Sequence, residues 1–256
     1  MIDYEKDLNM EQFRVVMEES GPLLVIAGAG SGKTRTLTYR VARLIESGIN
    51  PERILLATFT NKAAKSMLYR VNSLLDRELT HLWGGTFHHI AHLILRKNSN
   101  LLGYERNFSI IDTDDAAQLL NACIFEKGIV AKEDKFPKGD VLRDMISLSH
   151  NTHMSLEEVV ARRYPFLSSC LDNIKTVATL FASRKKMLNV MDFDDLLINW
   201  KKLLVQFPDV LKDYSERFIH VLVDEYQDTN ILQAEIIDLM ASCHRNLVAV
   251  GDDSQS

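Results

Sequence analysis

Apolar residues along this chain fall into two alternating kinds of run. LLVI (Leu23 to Ile26) is short and continuous, as a strand buried on both faces reads. Beyond it Leu37, Val41, Leu44 and Ile45 recur at i, i+4, i+7 and i+8, which predicts an amphipathic helix stopped by Gly48 and Pro51. ILLATF (54–59) predicts a second buried strand, and Ala64, Leu68, Val71 and Leu75 a second helix. LWGGTF (82–87) leads into a helix carrying Ile90, Leu93 and Ile94. Far downstream HVLVDE (220–225) and NLVAVGD (246–252) are apolar strands closing on acidic residues, with a helical pattern through Ile236, Ile237 and Met240 between them. This alternation predicts an α/β fold with a parallel sheet covered on both faces. From about Ser109 to Asn189 the rhythm stops. DDAAQLLNACIF, LEEVVARRY and NIKTVATLFASRKKML are helical in pattern and no buried-strand run occurs. The expectation is a mostly helical subdomain, 109–189, inserted between two parts of the α/β domain, 1–108 and 190–256.

Composition changes this picture only at the edges. The net charge is −5, from 35 acidic against 30 basic residues, so the general positive field of many nucleic-acid binders is absent. Any nucleic-acid site must be local, built from backbone donors, aromatics and a few cations. No stretch approaches 18 uninterrupted apolar residues, and MIDYEKDLN lacks the pattern of a secretory signal. Cys123, Cys170 and Cys243 have no CxxC spacing, so neither a disulfide framework nor a zinc site is indicated. A reduced cytoplasmic setting without membrane contact is the expectation.

Chemistry concentrates at the strand ends. After the first strand comes AGAGSGKT, that is Ala27, Gly28, Ala29, Gly30, Ser31, Gly32, Lys33 and Thr34, followed by Arg35. Between a strand and a helix, such a loop turns successive backbone N–H groups toward phosphate oxygens. Lys33 is placed to reach the β- and γ-phosphates of a nucleoside triphosphate and the Thr34 hydroxyl to ligate Mg²⁺. Ala27 stands where the general motif has glycine. VLVDEYQD adds Asp224 at a strand tip for the metal and Glu225 beside it for the attacking water. That pair favours hydrolysis over phosphoryl transfer to a small acceptor. His88 and His92 lie at i, i+4, yet no carboxylate or cysteine completes a metal set with them. In DFDDLL, Asp192 is expected to cap a helix carrying Phe193, Leu196 and Leu197.

LNMEQ (8–12), AGAGSGKT (27–34), TFTNKAA (58–64), GTFHHIAHLILR (85–96), DFDDLL (192–197), VDEYQDTN (223–230) and GDDSQS (251–256) occur in the order seen in the UvrD/Rep/PcrA-like superfamily 1 DNA helicases, which this chain resembles. TFTNKAA and DEYQD carry the resemblance; the phosphate loop alone does not, and alanine at Ala27 is common in that family. The resemblance implies a RecA-like P-loop NTPase domain with an inserted subdomain. It also implies an ATP- and Mg²⁺-dependent motor that walks 3′ to 5′ on single-stranded DNA and opens duplex at single-strand/double-strand junctions. By this likeness the chain is the first motor lobe, ending inside the third motif, and by itself is expected to turn ATP over weakly. Gln12 corresponds to the glutamine that reads adenine, although Asn9 and Gln12 also fit a helix cap. Arg35 is similar to an arginine near the base, and Gln255 to the glutamine that senses the γ-phosphate.

The same likeness makes TFTNK and GTFHH candidate DNA contacts. Phe59 and Phe87 would offer aromatic faces, while Thr60, Asn61, Lys62, Thr86 and His88 would bond phosphates or sugars. On composition alone the two phenylalanines fit a core equally well and the threonines fit caps. His89 departs from the family pattern, where serine is common. Two other readings remain at this point: the motor portion of a helicase–nuclease, and a nucleotide-switched DNA- or protein-binding module that unwinds nothing.

Overall fold

The computed structural model describes residues 2–129 and 136–252. The chain folds into two compact units, Met1–Ile90 with Leu204–Thr229 and Gln233–Ser256 in one, and Ala91–Leu203 with Asn230–Leu232 in the other.

The first unit is built on five parallel strands. These are β1 (Leu23–Ile26), β2 (Ile54–Thr58) and β3 (Trp83–Thr86), and from the later chain β6 (His220–Val223) and β7 (Leu247–Gly251), in the order β1-β7-β6-β2-β3. The two strands between, β4 (Ser109–Ile110) and β5 (Val190–Met191), lie in the second unit. Register is set by pairs such as Leu56 with Leu222, Leu222 with Val248, and Val25 with Val250. One face of the sheet packs Ile54, Leu56, Leu222, Val248 and Val250 against Leu37, Val41, Leu44 and Ile45 of the helix Lys33–Glu46 and Met67 and Val71 of the helix Asn61–Leu75. The first helix shows the stripe expected from the 3.6-residue period, whereas in the second Met67 rather than the expected Leu68 packs on the sheet beside Val71. Both faces of β2 and β6 are buried, as their continuous apolar runs require. β1 differs: Leu24 and Ile26 are 63% and 62% exposed. An apolar run is therefore no guide to two-sided burial when the strand lies at a sheet edge, and β1 does.

The helix Met10–Met17 is fixed to this framework by a buried arginine. Arg40 is 1% exposed, and its Nη1 donates to the carbonyls of Val15 (2.6 Å) and Glu18 (2.7 Å), the otherwise unpaired C-terminal acceptors of that helix. A guanidinium pays its desolvation with such charge-assisted bonds.

The second unit is mostly helical. The helices Thr113–Glu126, Gly139–Thr152, Leu156–Arg163 and Leu171–Met187 share a core of Leu120, Met145, Val159, Ile174, Val177 and Phe181, with Cys123 and Cys170 buried in it as small apolar groups. The two-residue parallel pairing of β4 with β5 was not expected, because two residues carry no period. DFDDLL forms a reciprocal cap on the helix Phe193–Gln206: the Asp195 N–H donates to Asp192 Oδ1 (2.8 Å) and the Asp192 N–H to Asp195 Oδ2 (3.1 Å). Leu196 and Leu197 are buried, whereas Phe193 is 47% exposed. Buried Lys185 lies 2.6 Å from Oδ2 of both aspartates and draws the cap into the interior. No helix of the described residues is long and apolar enough to cross a membrane.

Candidate nucleotide and nucleic-acid site

Because all five strands run the same way, their carboxyl ends share one edge, where open α/β sheets bind ligands. Across the sheet, the residues leaving the strands are Ala27 after β1, Asp252 after β7, Asp224 after β6, Phe59 after β2 and Phe87 after β3. Segments up to 225 residues apart in sequence thus meet in a single row.

At the β1 end the loop Ala27–Thr34 turns back into the helix that Lys33 opens. Gly30 (φ 77°) and Gly32 (φ 87°) supply left-handed backbone that a side chain would strain. Gly32 also makes room for the Gln12 carboxamide, since a Cβ there would stand 2.7 Å from Gln12 Nε2. Lys33 is 9% exposed; its Nζ donates to the Ala27 carbonyl at 3.0 Å and meets Asp252 Oδ2 at 3.3 Å and Glu225 Oε2 at 4.0 Å. The Thr34 hydroxyl donates to Asp224 Oδ2 at 3.0 Å. Asp224 is 1% exposed, and burial pushes its carboxyl above the ordinary aspartate range; the Thr34 bond opposes the rise and nearby Glu225 adds to it.

These groups fit Mg²⁺. Thr34 Oγ1 and Asp224 Oδ2 are hard oxygen donors, and two oxygens on adjacent corners around Mg²⁺, each about 2.0–2.1 Å from it, lie about 2.9 Å apart. Three carboxylates, of Asp224, Glu225 and Asp252, face the single ammonium of Lys33, so the site has an excess of negative charge that a divalent cation relieves. Glu225 itself sits at φ 53°, ψ 47°, left-handed backbone that is costly for a residue with a Cβ. Its N–H donates to Asp224 Oδ1 at 3.1 Å, and its carboxylate accepts from Gln227 Nε2 at 2.7 Å.

Gln12 serves the cap and the loop at once. Its N–H donates to Asn9 Oδ1 (2.8 Å), its Oε1 accepts the Asn9 N–H (3.2 Å), and its Nε2 donates to the Ser31 carbonyl (2.9 Å). Arg35 bonds the Asp7 carbonyl at 2.7 Å and lies 5.1 Å from the Tyr39 ring centre. Gln255 falls outside the described residues.

At the other end, the register Thr58 to Thr86 delivers both candidate segments side by side. Thr60 caps the helix Asn61–Leu75 through its Oγ1, which accepts the Ala63 N–H at 3.1 Å; Thr60, Asn61 and Lys62 are exposed. Phe59 is half-buried. Phe87 is 1% exposed and packs behind Phe59, ring centres 5.8 Å apart. Thr86 is 8% exposed and its Oγ1 accepts the His89 N–H at 3.2 Å. His88 is half-buried and His89 exposed. Burial thus separates the two phenylalanines: Phe87 is a core residue, and Phe59 packs on it with its ring partly exposed. His92 accepts from Arg96 Nε at 2.8 Å and lies edge-on to Phe108. Among the described residues no group of three or more His, Cys, Asp or Glu is arranged to hold a metal.

Sequence reasoning passed over two residues of the nucleotide end, Asp252 and Gln227, and one elsewhere in the same unit, Arg40. Asp252, 2% exposed and paired with Lys33, closes an apolar strand as Asp224 does, so the same signal marked it. Gln227 stands inside the DEYQD run, but its partners, like those of Arg40, had no signal, because only folding brings Gln227 to Asp252 and Arg40 to the helix Met10–Met17.

Comparison with known proteins follows the same lines. The family description "UvrD/REP helicase N-terminal domain" matches residues 8–256. The ATP-dependent DNA helicase PcrA of Staphylococcus epidermidis (strain ATCC 35984) is 38% identical over 255 residues, covering 98% of this chain and 34% of that protein. PcrA of Staphylococcus aureus (strain Mu50) is 37% identical over 254 residues, covering 97% and 33%. The chain therefore spans about one third of the length of these relatives. With its parallel sheet, its phosphate loop at the carboxyl edge and a match across nearly its whole length, the chain is a RecA-like P-loop domain belonging to the UvrD/REP helicase N-terminal domain family.

Proposed function

We propose that this chain forms the nucleotide-splitting part of an ATP-dependent DNA helicase, which moves 3′ to 5′ along single-stranded DNA and opens duplex at a single-strand/double-strand junction. The observation that carries the reading is the approach of Thr34 Oγ1 to Asp224 Oδ2 at 3.0 Å, with Lys33 Nζ within 4.0 Å of Glu225. The helicase names of relatives at 37–38% identity support it.

In this reading the backbone N–H groups of Gly28 to Thr34 cradle the phosphates. Lys33 exchanges Asp252 for the β- and γ-phosphate oxygens. Thr34 and Asp224 would hold Mg²⁺, which would neutralise phosphate charge. Glu225 accepts the proton of the water that attacks the γ-phosphate. Gln12 and Arg35 flank the adenine; Gln12 reaches it by giving up its bond to the Ser31 carbonyl. Gln255 senses the γ-phosphate. Phe59 stacks on a base, and Thr60, Asn61, Lys62 and His88 bond the DNA backbone without reading sequence. Phe87 and Thr86 hold that surface from beneath.

The test is ATP turnover by the intact protein with and without single-stranded DNA, followed by unwinding of duplexes bearing a 3′ or a 5′ tail. Turnover stimulated by DNA and opening from the 3′ tail are expected. Turnover indifferent to DNA would make a nucleotide-switched binding module the better reading, and preference for a 5′ tail would reverse the direction.

A further inference from the structure

Glu225 is a flexible side chain on strained backbone, yet a general base must hold its carboxylate within a fraction of an ångström of the attacking water. Something has to aim it. We infer that Gln227 is a positioning residue for this reaction, one that aims the Glu225 carboxylate by tying it to the end of β7. This rests on the nucleotide-splitting role proposed above.

The turn Tyr226–Asp228 brings the Gln227 carboxamide between two partners. Nε2 donates to Glu225 Oε2 at 2.7 Å, and Oε1 accepts the backbone N–H of Asp252 at 3.0 Å. Asp252 in turn holds Lys33 at 3.3 Å. One amide thus joins the proposed base to the segment that carries the lysine's counter-ion. An amide offers a donor and an acceptor on one rigid plane, and glutamine carries it on a stem long enough to reach both partners. Glutamate would face Glu225 with a second negative charge, and lysine would leave the Asp252 N–H without an acceptor. Asparagine is one methylene short of both. Gly251 belongs to the same arrangement: a Cβ there would lie 2.9 Å from Gln227 Oε1 and 3.3 Å from the Gln227 nitrogen, so glycine lets the amide approach the strand. Gly251 needs no unusual φ, so this closeness is a physical reason for glycine at the position.

The experiment is a double-variant cycle on the intact protein, with ATP and Mg²⁺. Gln227→Leu and Gln227→Glu are each expected to lower kcat by about 10²-fold, the scale of a misplaced catalytic group, while KM for ATP stays near the parent's and the thermal midpoint holds in Gln227→Glu, which keeps an acceptor for the Asp252 N–H. In a Glu225→Gln background the same changes should lower kcat no further, because Gln227 acts through the Glu225 carboxylate. A merely structural role predicts additive losses and a lowered midpoint. Parental kcat in Gln227→Leu, or additive losses in the double variants, overturns this inference alone. A parent that does not split ATP, or a Glu225→Gln variant as active as the parent, overturns the proposed function and this inference with it.

Discussion

At the β1–β7–β6 end of the sheet edge Lys33, Asp224 and Asp252 are 9%, 1% and 2% exposed; Lys33 pairs with Asp252, and Thr34 donates to Asp224. At the β2–β3 end, on the same edge, Thr60, Asn61 and Lys62 stand in solvent around a half-buried phenylalanine. The first end suits a ligand that brings its own charges into a dry site, where electrostatic terms are large and placement decides rate. The second suits a long polymer bound by stacking and by screened phosphate contacts, where each group contributes modestly to affinity. β2 pairs directly with β6, and the Asp224 N–H donates to the Ala57 carbonyl at 3.0 Å. The two ends are therefore neighbours in one rigid sheet, each with its own chemistry.

Breaking the first end should give the largest effect. Glu225→Gln is expected to cut ATP turnover by about 10²–10⁴-fold with nucleotide and DNA affinity retained, measured by steady-state kinetics and equilibrium binding. Unchanged turnover removes Glu225 from the chemistry. Next come the two phenylalanines of the second end, which should part company. Phe87→Ala, removing a ring only 1% exposed, should cost about 3–5 kcal/mol of stability in denaturant unfolding. Phe59→Ala should instead weaken single-stranded DNA by about 1–3 kcal/mol and leave ATP binding alone. Equal losses of stability would erase the distinction between platform and support.

The far end of β6 separates stability from both chemistries. His220 is 6% exposed, and its pKa is lowered to about 4, first by burial and then by repulsion from Arg40 and His244. An unfolded histidine takes up its proton near pH 6.5. The stability associated with the neutral buried ring is therefore present above about pH 6.5 and lost as pH falls through about 4, by at most about 3 kcal/mol. Unfolding followed from pH 7.5 to 4.5 should show a smaller acid loss in His220→Leu than in the parent. The smallest effect is expected for Lys62→Ala: a uniform weakening across DNA sequences and a salt slope shallower by about one, read from binding at several salt concentrations. A sequence-dependent change would assign Lys62 to base readout.

Most of the nucleotide end was legible because its elements are local. A continuous apolar run, a glycine-rich turn and a 3.6-residue stripe sit within Leu23–Glu46, and each is a statement about neighbours in sequence. The apolar run ending in Asp224 is equally local. The expected insertion, 109–189, lies inside the helical unit, whose helices announced themselves by period. The short β4–β5 pairing did not, and the different burial of Phe59 and Phe87 could not, because identical residues directly after parallel strands differ only in what packs on them.

The sequence by itself determined the strands of the main sheet, the long helices and the glycine-rich turn, since hydrophobic period and glycine placement act over a few residues. Only the tertiary structure decided that Thr34 meets Asp224 across 190 positions, that Lys33 rests on Asp252, and that Gln227 bridges Glu225 to β7. Those contacts follow from strand order, β1-β7-β6-β2-β3, which sets side by side groups that no local period relates. A parallel sheet gathers the ends of distant strands onto one edge, and the chemistry proposed for this chain lies along that edge.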